Sequence, residues 1–554
     1  MKKYGQILVA GLGIAMALQG GAALAAPAPT DAEARIFQPN DPAVQMNRTR
    51  DYLERARVAQ QIAEDKAKAK AGIESQQQQE APEAPALAFE LKTVVWDPSQ
   101  IITAEELEAI AAKYLGPCNL EQLYKMVAEV NNIYSQKGYI TCKAFLGPQT
   151  IKEGAVKITI IEGRNGNVAV QGNKHTKANY IKDRLSLPAG EIMSLKALNK
   201  DLLHFNGTND VQLRIALQAG TEPGTTDYVI TAYEPQQQVI TVYSDNNGNE
   251  TSGEYRAGLF YNNRSLTGVR DNLMVSLMGS EGTKAVAASY AYPVGHSGTK
   301  LRLQYSTNSV EITDGQLEPL GVKGHAYAAA VGITQPLAIS EKQRSELTLD
   351  LSTQNSKTSF AGNPWLDDTA SGVALGYAVT NYGKSHILYR KLSYTFGGYE
   401  NIKSESKNYN RLNSSTMYQK LYDHGQQLNV RFDGQLGFNN YLPSSQQFYI
   451  GGAYSVRGYK ESALSGDRGY ALGLEYSIPV FNKDTSAFVF LDHGKVGGDS
   501  SFDDNSLTGA GFGIKTTFKK KIYGSLTLGF PLEKDLNGSD VDSTRLHFVV
   551  SGQF

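Results

Sequence analysis

The stretch Val456-Arg457-Gly458-Tyr459 follows Gly451-Gly452 in a glycine-rich connection between two segments that alternate apolar and polar residues. Further along, Phe490-Leu491-Asp492-His493-Gly494 lies on another alternating segment. A loop arginine and a strand carboxylate, each inside a short motif, predict an ion pair that fastens a loop to the inner wall of a large β-barrel. The clearest alternation follows the loop: Leu472, Leu474, Tyr476, Ile478 and Val480 are apolar, against Ala471, Gly473, Glu475, Ser477 and Pro479. One face suits lipid and the other a hydrated lumen, which is the pattern of a membrane-spanning strand. By the same parity, with Val489 and Leu491 toward lipid, Phe490, Asp492 and Gly494 share the lumenal face, and Glu475 is lumenal too. Arg457 offers a planar, permanently charged fork to a carboxylate. Gly458 allows a tight turn, and Tyr459 is placed to pack on Phe490.

The same character extends over residues 238–554, where alternating segments are separated by Gly/Asn/Asp/Ser clusters. This length gives room for roughly 14–18 spanning strands, and a barrel of that size encloses water rather than a packed core. The last segment alternates Leu546, Phe548, Val550, Gly552 and Phe554 against Arg545, His547, Ser551 and Gln553. A strand ending on an aromatic residue fits an outer-membrane assembly signal. The competing fold is a soluble β-sandwich or propeller.

The N-terminus sets the compartment. Lys2 and Lys3 precede an apolar run from Ile7 to Leu18, and Ala23-Leu24-Ala25 supplies small residues, so residues 1–25 read as a signal peptide cut after Ala25 or Ala26. No later stretch is apolar enough for a transmembrane helix. A net charge of −1 with 20% charged residues implies no nucleic-acid partner. The eight histidines form no ligand cluster, so neither a metal nor another cofactor is expected. Gly11-Leu12-Gly13 has no βαβ unit around it, and His296-Ser297-Gly298 lacks the spacing of a nucleophile elbow. An enzyme is not expected.

Residues 26–70 open Pro/Ala-rich. Asp41-Pro42 then reads as an N-cap with proline in the first turn of a helix reaching about residue 70. That helix lacks a continuous apolar stripe, so it sits in water or bridges solvated surfaces, and it reaches roughly 40 Å. Residues 71–88, with Gln76 to Gln79 and Glu80-Ala81-Pro82-Glu83-Ala84-Pro85, read as a linker without core-forming residues.

Residues 89–163 read β-α-α-β-β. A strand runs from Phe89 to Trp96, and Thr103 with Glu106 forms a capping box. Leu120, Leu123, Val127 and Val130 mark a second helix ending near Gly138, and strands follow at Tyr139–Phe145 and Val156–Ile161. Residues 164–235 repeat that order, with strands at 168–170, 211–217 and 228–233 and helices near 177–185 and 195–205. Two cysteines, Cys118 and Cys142, in an oxidising compartment favour a disulfide between the start of the second helix and the strand after it.

Taken together, the chain resembles the two-partner secretion transporters, the ShlB/FhaC/HecB family of haemolysin and adhesin exporters. The resemblance covers essentially the whole mature chain. Beyond the Val-Arg-Gly-Tyr and Phe-x-Asp-x-Gly motifs, it rests on Lys137-Gly138-Tyr139 with the run to Ile161-Glu162-Gly163, on Leu217 through Gly220 with Pro223-Gly224, and on Asp245-Asn246-Asn247-Gly248 with Ser252-Gly253. It implies a 16-stranded antiparallel transmembrane barrel in the outer membrane, with an N-terminal helix plugging the pore. It also implies two periplasmic POTRA modules that capture a secreted exoprotein: a haemolysin, an adhesin or a haem-binding protein. Surrounding lipid, the barrel assembly machinery and a monomeric state complete the expected partners. The cysteine pair is a departure from many members. Two other readings share some of these features: an assembly factor that inserts other barrels, and a passive porin with periplasmic domains.

Overall fold

A computed structural model of the chain describes residues 38–67, 73–74, 88–315, 317–438, 442–498, 505–519, 521–536 and 539–554. The leader expected at 1–25 lies outside these residues, and the linker is described only at 73–74 and 88.

Helix α1 spans Pro42–Ala67. Its first turn is capped by Asp41, whose Oδ1 accepts the Ala43 N–H at 2.8 Å. A 26-residue helix with so little apolar face needs partners along its whole length, and it finds them inside the barrel.

In the first periplasmic module the stretch expected as one strand from Phe89 to Trp96 is two. Strand β1 (Ile73–Glu74) lies ahead of it; β2 (Ala88–Leu91) pairs with β4 (Gly116–Asn119), whereas β3 (Thr93–Trp96) runs parallel to β6 (Ala155–Ile161). The break falls at Lys92, where the Lys92 and Thr93 N–H groups both donate to the Gly154 carbonyl, so the chain changes sheet within one residue. Helix α2 (Ala104–Ala111) carries the reciprocal Thr103–Glu106 capping box. Helix α3 (Leu120–Lys137) buries Leu123, Met126, Val127, Val130 and Tyr134 at helical spacing and stops at Gly138, whose φ of 87° is the left-handed C-cap conformation. Strand β5 is shorter than the alternation implied, Lys143–Phe145, because residues 139–142 turn: the Tyr139 N–H donates to the Tyr134 carbonyl, and the Cys142 N–H to Tyr139.

The helix between the two cysteines overrules the disulfide. Cys118 and Cys142 are both free and buried in the same core. Cys118 sits in β4, just ahead of the first residue of α3. Cys142 lies past the far end of that helix, beside Glu162 and Tyr134. An 18-residue helix is about 27 Å long, several times the Cα separation a disulfide tolerates. Burial pushes the Cys142 thiol up to about 11, so it is an inert core residue.

Glu162 explains part of the Ile161-Glu162-Gly163 run. It accepts the Ser99 hydroxyl at 2.6 Å, the Gln100 N–H at 2.9 Å and the Tyr134 hydroxyl at 3.0 Å. Burial raises its carboxyl, but the Ser99 hydroxyl, the Gln100 N–H and Tyr134 outweigh it and leave Glu162 below the usual carboxylate range.

The second module repeats the arrangement with β7 (Arg164–Gln171), α4 (Ala178–Lys182), α5 (Leu195–Thr208), β8 (Gln212–Ala219) and β9 (Thr225–Tyr233). The sheet orders correspond: β3-β6-β5 in the first module and β7-β9-β8 in the second, the first strand parallel to the last in both. Strand β1 from the linker extends the second sheet, parallel to β8, pairing Ile73 with Ile215 and Glu74 with Ala216. Two residues beside Gly72 give no periodicity from which a strand is readable. The module is fastened to the barrel rim: Arg270 Nε donates to Asp210 at 2.8 Å, Arg344 to the Gly207 carbonyl at 2.6 Å and Arg184 to the Gly295 carbonyl at 2.6 Å.

The barrel closes from sixteen antiparallel strands. The first eight are β10 (Gln238–Asp245), β11 (Arg256–Asn263), β12 (Asn272–Gly279), β13 (Thr283–Val294), β14 (Thr299–Glu311), β15 (Lys323–Ile339), β16 (Gln343–Phe360) and β17 (Asn363–Tyr382). Next come β18 (His386–Glu400), β19 (Ser406–Leu421) and β20 (Gln427–Gly437). A long loop carries the hairpin β21 (Phe448–Ile450) and β22 (Leu464–Gly466); then the wall resumes with β23 (Arg468–Pro479), β24 (Thr485–Gly497), β25 (Ser506–Phe518) and β26 (Ile522–Pro531). A small hairpin, β27 (Asp535–Leu536) and β28 (Ser539–Asp540), precedes the last strand, β29 (Arg545–Gln553). The seam pairs β10 with β29 from Thr241↔Gln553 to Asp245↔Val549, and the Ile240 N–H donates to the Phe554 carbonyl. Leu303, Leu349, Leu375, Phe396, Leu474 and Leu526 stand exposed on the outer face, as lipid requires. Because residue 238 follows the second module, the Gln238 end of β10 is the periplasmic end and the loop between β20 and β23 belongs to the opposite rim.

Candidate functional site in the barrel lumen

The loop between β20 and β23 folds inward. Cross-strand register builds its receptor: Asp492 of β24 lies between Gly473 of β23 and Gly509 of β25, and Phe490 lies between Glu475 and Gly511. A side chain at Gly509 would fill the space into which the loop descends. Arg457 enters it. Its Nε donates to Asp492 Oδ2 at 2.7 Å, its Nη2 to Asp492 Oδ1 at 3.0 Å, and its backbone N–H to Oδ2 at 3.1 Å. Its remaining terminal nitrogen, Nη1, donates to Glu475 at 2.7 Å, while Lys515 reaches the other Glu475 oxygen at 3.0 Å. The guanidinium also stacks on Phe490, 3.7 Å from the ring centroid. Asp492 is fully buried, so this bidentate pair sits in a medium that strengthens it but also makes either partner alone costly.

The other motif residues have distinct tasks. Gly458 has φ +100° and rests against Gly529, where a Cβ would come within 2.8 Å of the Gly458 Cα. Its N–H donates to His547 Nε2 at 3.4 Å. A Cβ on Gly509 would strike the Arg457 carbonyl. Val456 is buried with Ile450, Leu464, Ala471, Val496 and Leu507, and Gly494 leaves room for it, because a Cβ there would lie 3.0 Å from Val456 Cγ2. Tyr459 packs in that cluster, and it is Arg457 that covers Phe490. The Tyr459 hydroxyl shares its one hydrogen between the Thr508 carbonyl, 2.8 Å away, and Glu533, whose carboxylate also accepts the Thr508 N–H at 2.7 Å.

Glu533, Thr508, Lys515 and His547 therefore belong to the site and were not among the residues singled out by sequence. The lumenal glycines Gly509, Gly511 and Gly513 on one strand are the signal that marks the floor of the receptor. Glu533 gave no comparable signal, because it lies in an irregular loop.

Helix α1 lies beside this loop and is gripped by it. Arg48 pairs with Glu461, Asn47 donates to the Ser445 carbonyl at 2.8 Å, and Arg55 donates to the Tyr454 carbonyl at 2.9 Å and to Asp433 of the wall at 3.1 Å. Tyr52 joins three aromatic rings, Tyr454 of the loop with Tyr243 and Phe260 of the wall, at centroid distances of 5.3–6.4 Å. At the outer end Asp41 accepts hydroxyls from Ser356 and Ser444, and Ala43 and Met46 pack on Ala326 and Ala328. Toward the periplasm Val58 meets Ala378 and Tyr389, and the Tyr382 hydroxyl donates to Asp65. A cavity of about 580 Å³ remains between helix, loop and wall, where charged groups such as Glu54, Arg302, Lys391 and Arg411 line it together with apolar ones such as Phe260, Met274 and Ala329. No helix among the described residues is long and apolar enough to cross a membrane, and none of the described residues forms a metal-binding group of three or more His, Cys, Asp or Glu.

The family model for haemolysin secretion/activation protein ShlB/FhaC/HecB matches residues 224–516, more than half of the chain, and the model for the ShlB-type POTRA domain matches residues 89–163. The chain belongs to the ShlB/FhaC/HecB family. It is similar to the heme/hemopexin transporter protein HuxB of Haemophilus influenzae, 26% identical over 82% of this chain and 86% of that one. It is also similar to the outer membrane transporter CdiB of Dickeya dadantii, 25% identical over 80% and 83%. Among solved structures, CdiB from Acinetobacter baumannii shares the fold at a TM-score of 0.65, with 20% identity over 94% of this chain and 99% of that one. As a member of the ShlB/FhaC/HecB family, the chain is an outer-membrane secretion pore with POTRA modules in the periplasm, working in two-partner secretion.

Proposed function

We propose that the resting pore is held shut by helix α1 and the inward loop, and that a large exoprotein captured on the POTRA modules opens it and threads through unfolded. The exoprotein is of the haemolysin, adhesin or haem-binding kind. The Arg457–Asp492 contact holds the loop in place, and a single chain suffices because the barrel closes on itself. With no nucleotide in the periplasm, folding of the partner outside the cell supplies the direction.

The observation that carries this reading is the edge of the second module. Strand β8 already accepts a strand from elsewhere in the chain, β1, in parallel register. A partner segment adding at that edge would displace the linker that tethers α1. At the matching edge of the first module a side chain stands in at one residue: Asn131 donates to the Ala144 carbonyl at 3.0 Å and accepts the Ala144 N–H at 2.8 Å, as a neighbouring strand would.

Deletion of the gene tests export against its rivals. Export predicts loss of one large exoprotein from the surface and medium with other barrels at normal abundance. General loss of outer-membrane barrels would support assembly instead, and a defect confined to small-solute uptake would support a porin.

A further inference from the structure

Arg390 stands on the wrong side of the wall for an ordinary pore residue. Its neighbours face the lumen: Tyr389 packs on Val58 of α1, and Lys391 Nζ is 3.4 Å from Glu54. Alternation therefore turns Arg390 outward, in line with Leu388, Leu392, Tyr394 and Phe396, the last three 49%, 44% and 55% exposed. A cation on the lipid face of a barrel is costly near the midplane, and the cost falls toward the interfaces.

The side chain relieves that cost by direction. Arg390 Nη2 donates to Asn381 Oδ1 at 3.2 Å, and Asn381 pairs with Leu388, two residues nearer the periplasmic end of β18. The guanidinium is thus swung toward the periplasmic headgroups. Only this one of its five donors has a partner among the described residues, and no described carboxylate pairs with it.

A second cation shares the surface. Met417 contacts the Val58 cluster from the lumen, so Tyr418 is outward, and by the same alternation so is Lys420. Lys420 lies opposite His386 in register, its Nζ 4.7 Å over the Tyr422 ring, and Tyr418 lies 6.1 Å from the His386 ring. Basic groups with tyrosines at the periplasmic end of an apolar stripe match a phospholipid: acyl chains along Leu392, Tyr394 and Phe396, phosphate at the cations.

We propose that the outer surface of β17–β19 is a binding site for a phospholipid of the periplasmic leaflet, with its phosphate held by Arg390 and assisted by Lys420. Arg390 takes the phosphate through its free N–H groups while Asn381 fixes the guanidinium.

The full-length protein in detergent micelles, titrated with phosphatidylglycerol and followed by native mass spectrometry, tests this. Wild type retains phosphatidylglycerol about tenfold better than diacylglycerol, which lacks the phosphate. Retention falls about fivefold for Arg390→Met and further with Lys420→Met, as expected for about one cation's worth of headgroup attraction each. Lys284→Met, an exposed cation at the opposite rim, leaves it unchanged. Equal retention of both lipids by wild type overturns the site and needs no variant to fold. Unchanged retention in a heat-modifiable, folded Arg390→Met protein overturns it too. So does equally tight binding of soluble glycerophosphate, which would make the site one for free anions.

Discussion

Arg457→Ala abolishes most export while leaving the barrel inserted and heat-modifiable. The substitution removes two side-chain bonds to Asp492, one to Glu475 and the stack on Phe490, and it leaves a fully buried carboxylate with only the backbone N–H of residue 457 from the loop. Breaking one partner of such a pair costs on the order of 3–5 kcal/mol, a shift of more than about a hundredfold against the docked loop. The barrel ladder does not pass through the loop, since β20 pairs directly with β23, so insertion survives. Arg457→Lys keeps the charge but loses the fork and falls between the two. Secretion of the exoprotein, measured alongside barrel abundance, reads the result; normal secretion by Arg457→Ala would show that the contact is structural only.

Deleting residues 42–67 has the second large effect. A 16-stranded wall encloses a wide aqueous lumen, and α1 with the loop is what fills it. Planar-bilayer conductance rises several-fold, on the order expected for clearing a helix from a pore of this size. The loop loses its contacts with Asn47, Arg48, Tyr52 and Arg55, so its fluctuations also increase. Unchanged conductance would mean that the loop alone closes the pore.

Much of this was legible before any coordinates. Parity alone placed Phe490, Asp492 and Glu475 on one lumenal face, because strand alternation has a fixed period and one wrong step would put Asp492 in lipid. Helices α2 and α3 were legible from a capping box and from apolar spacing, both local signals. What failed depended on tertiary context. The Phe89–Trp96 run was continuous in sequence yet belongs to two sheets, since pairing partners are not written locally. The cysteines were paired by compartment and parity of count, but the helix between them sets their separation. Tyr459 was assigned to Phe490, whereas the arginine took that ring and the tyrosine went to Glu533, a choice made by packing within a folded loop. Strand β1 carried too few residues to show any period.

One measurement bears most directly on the claim that the helix and the loop together close this pore. With cysteines replacing Arg48 and Glu461, which pair across the helix–loop contact, a cleavable bis-maleimide joins the two in living cells. The buried native thiols do not compete. Joined cells should fail to export the exoprotein and recover when the linker is cut; export that continues at the normal rate with the two positions still joined would contradict a plug that must leave.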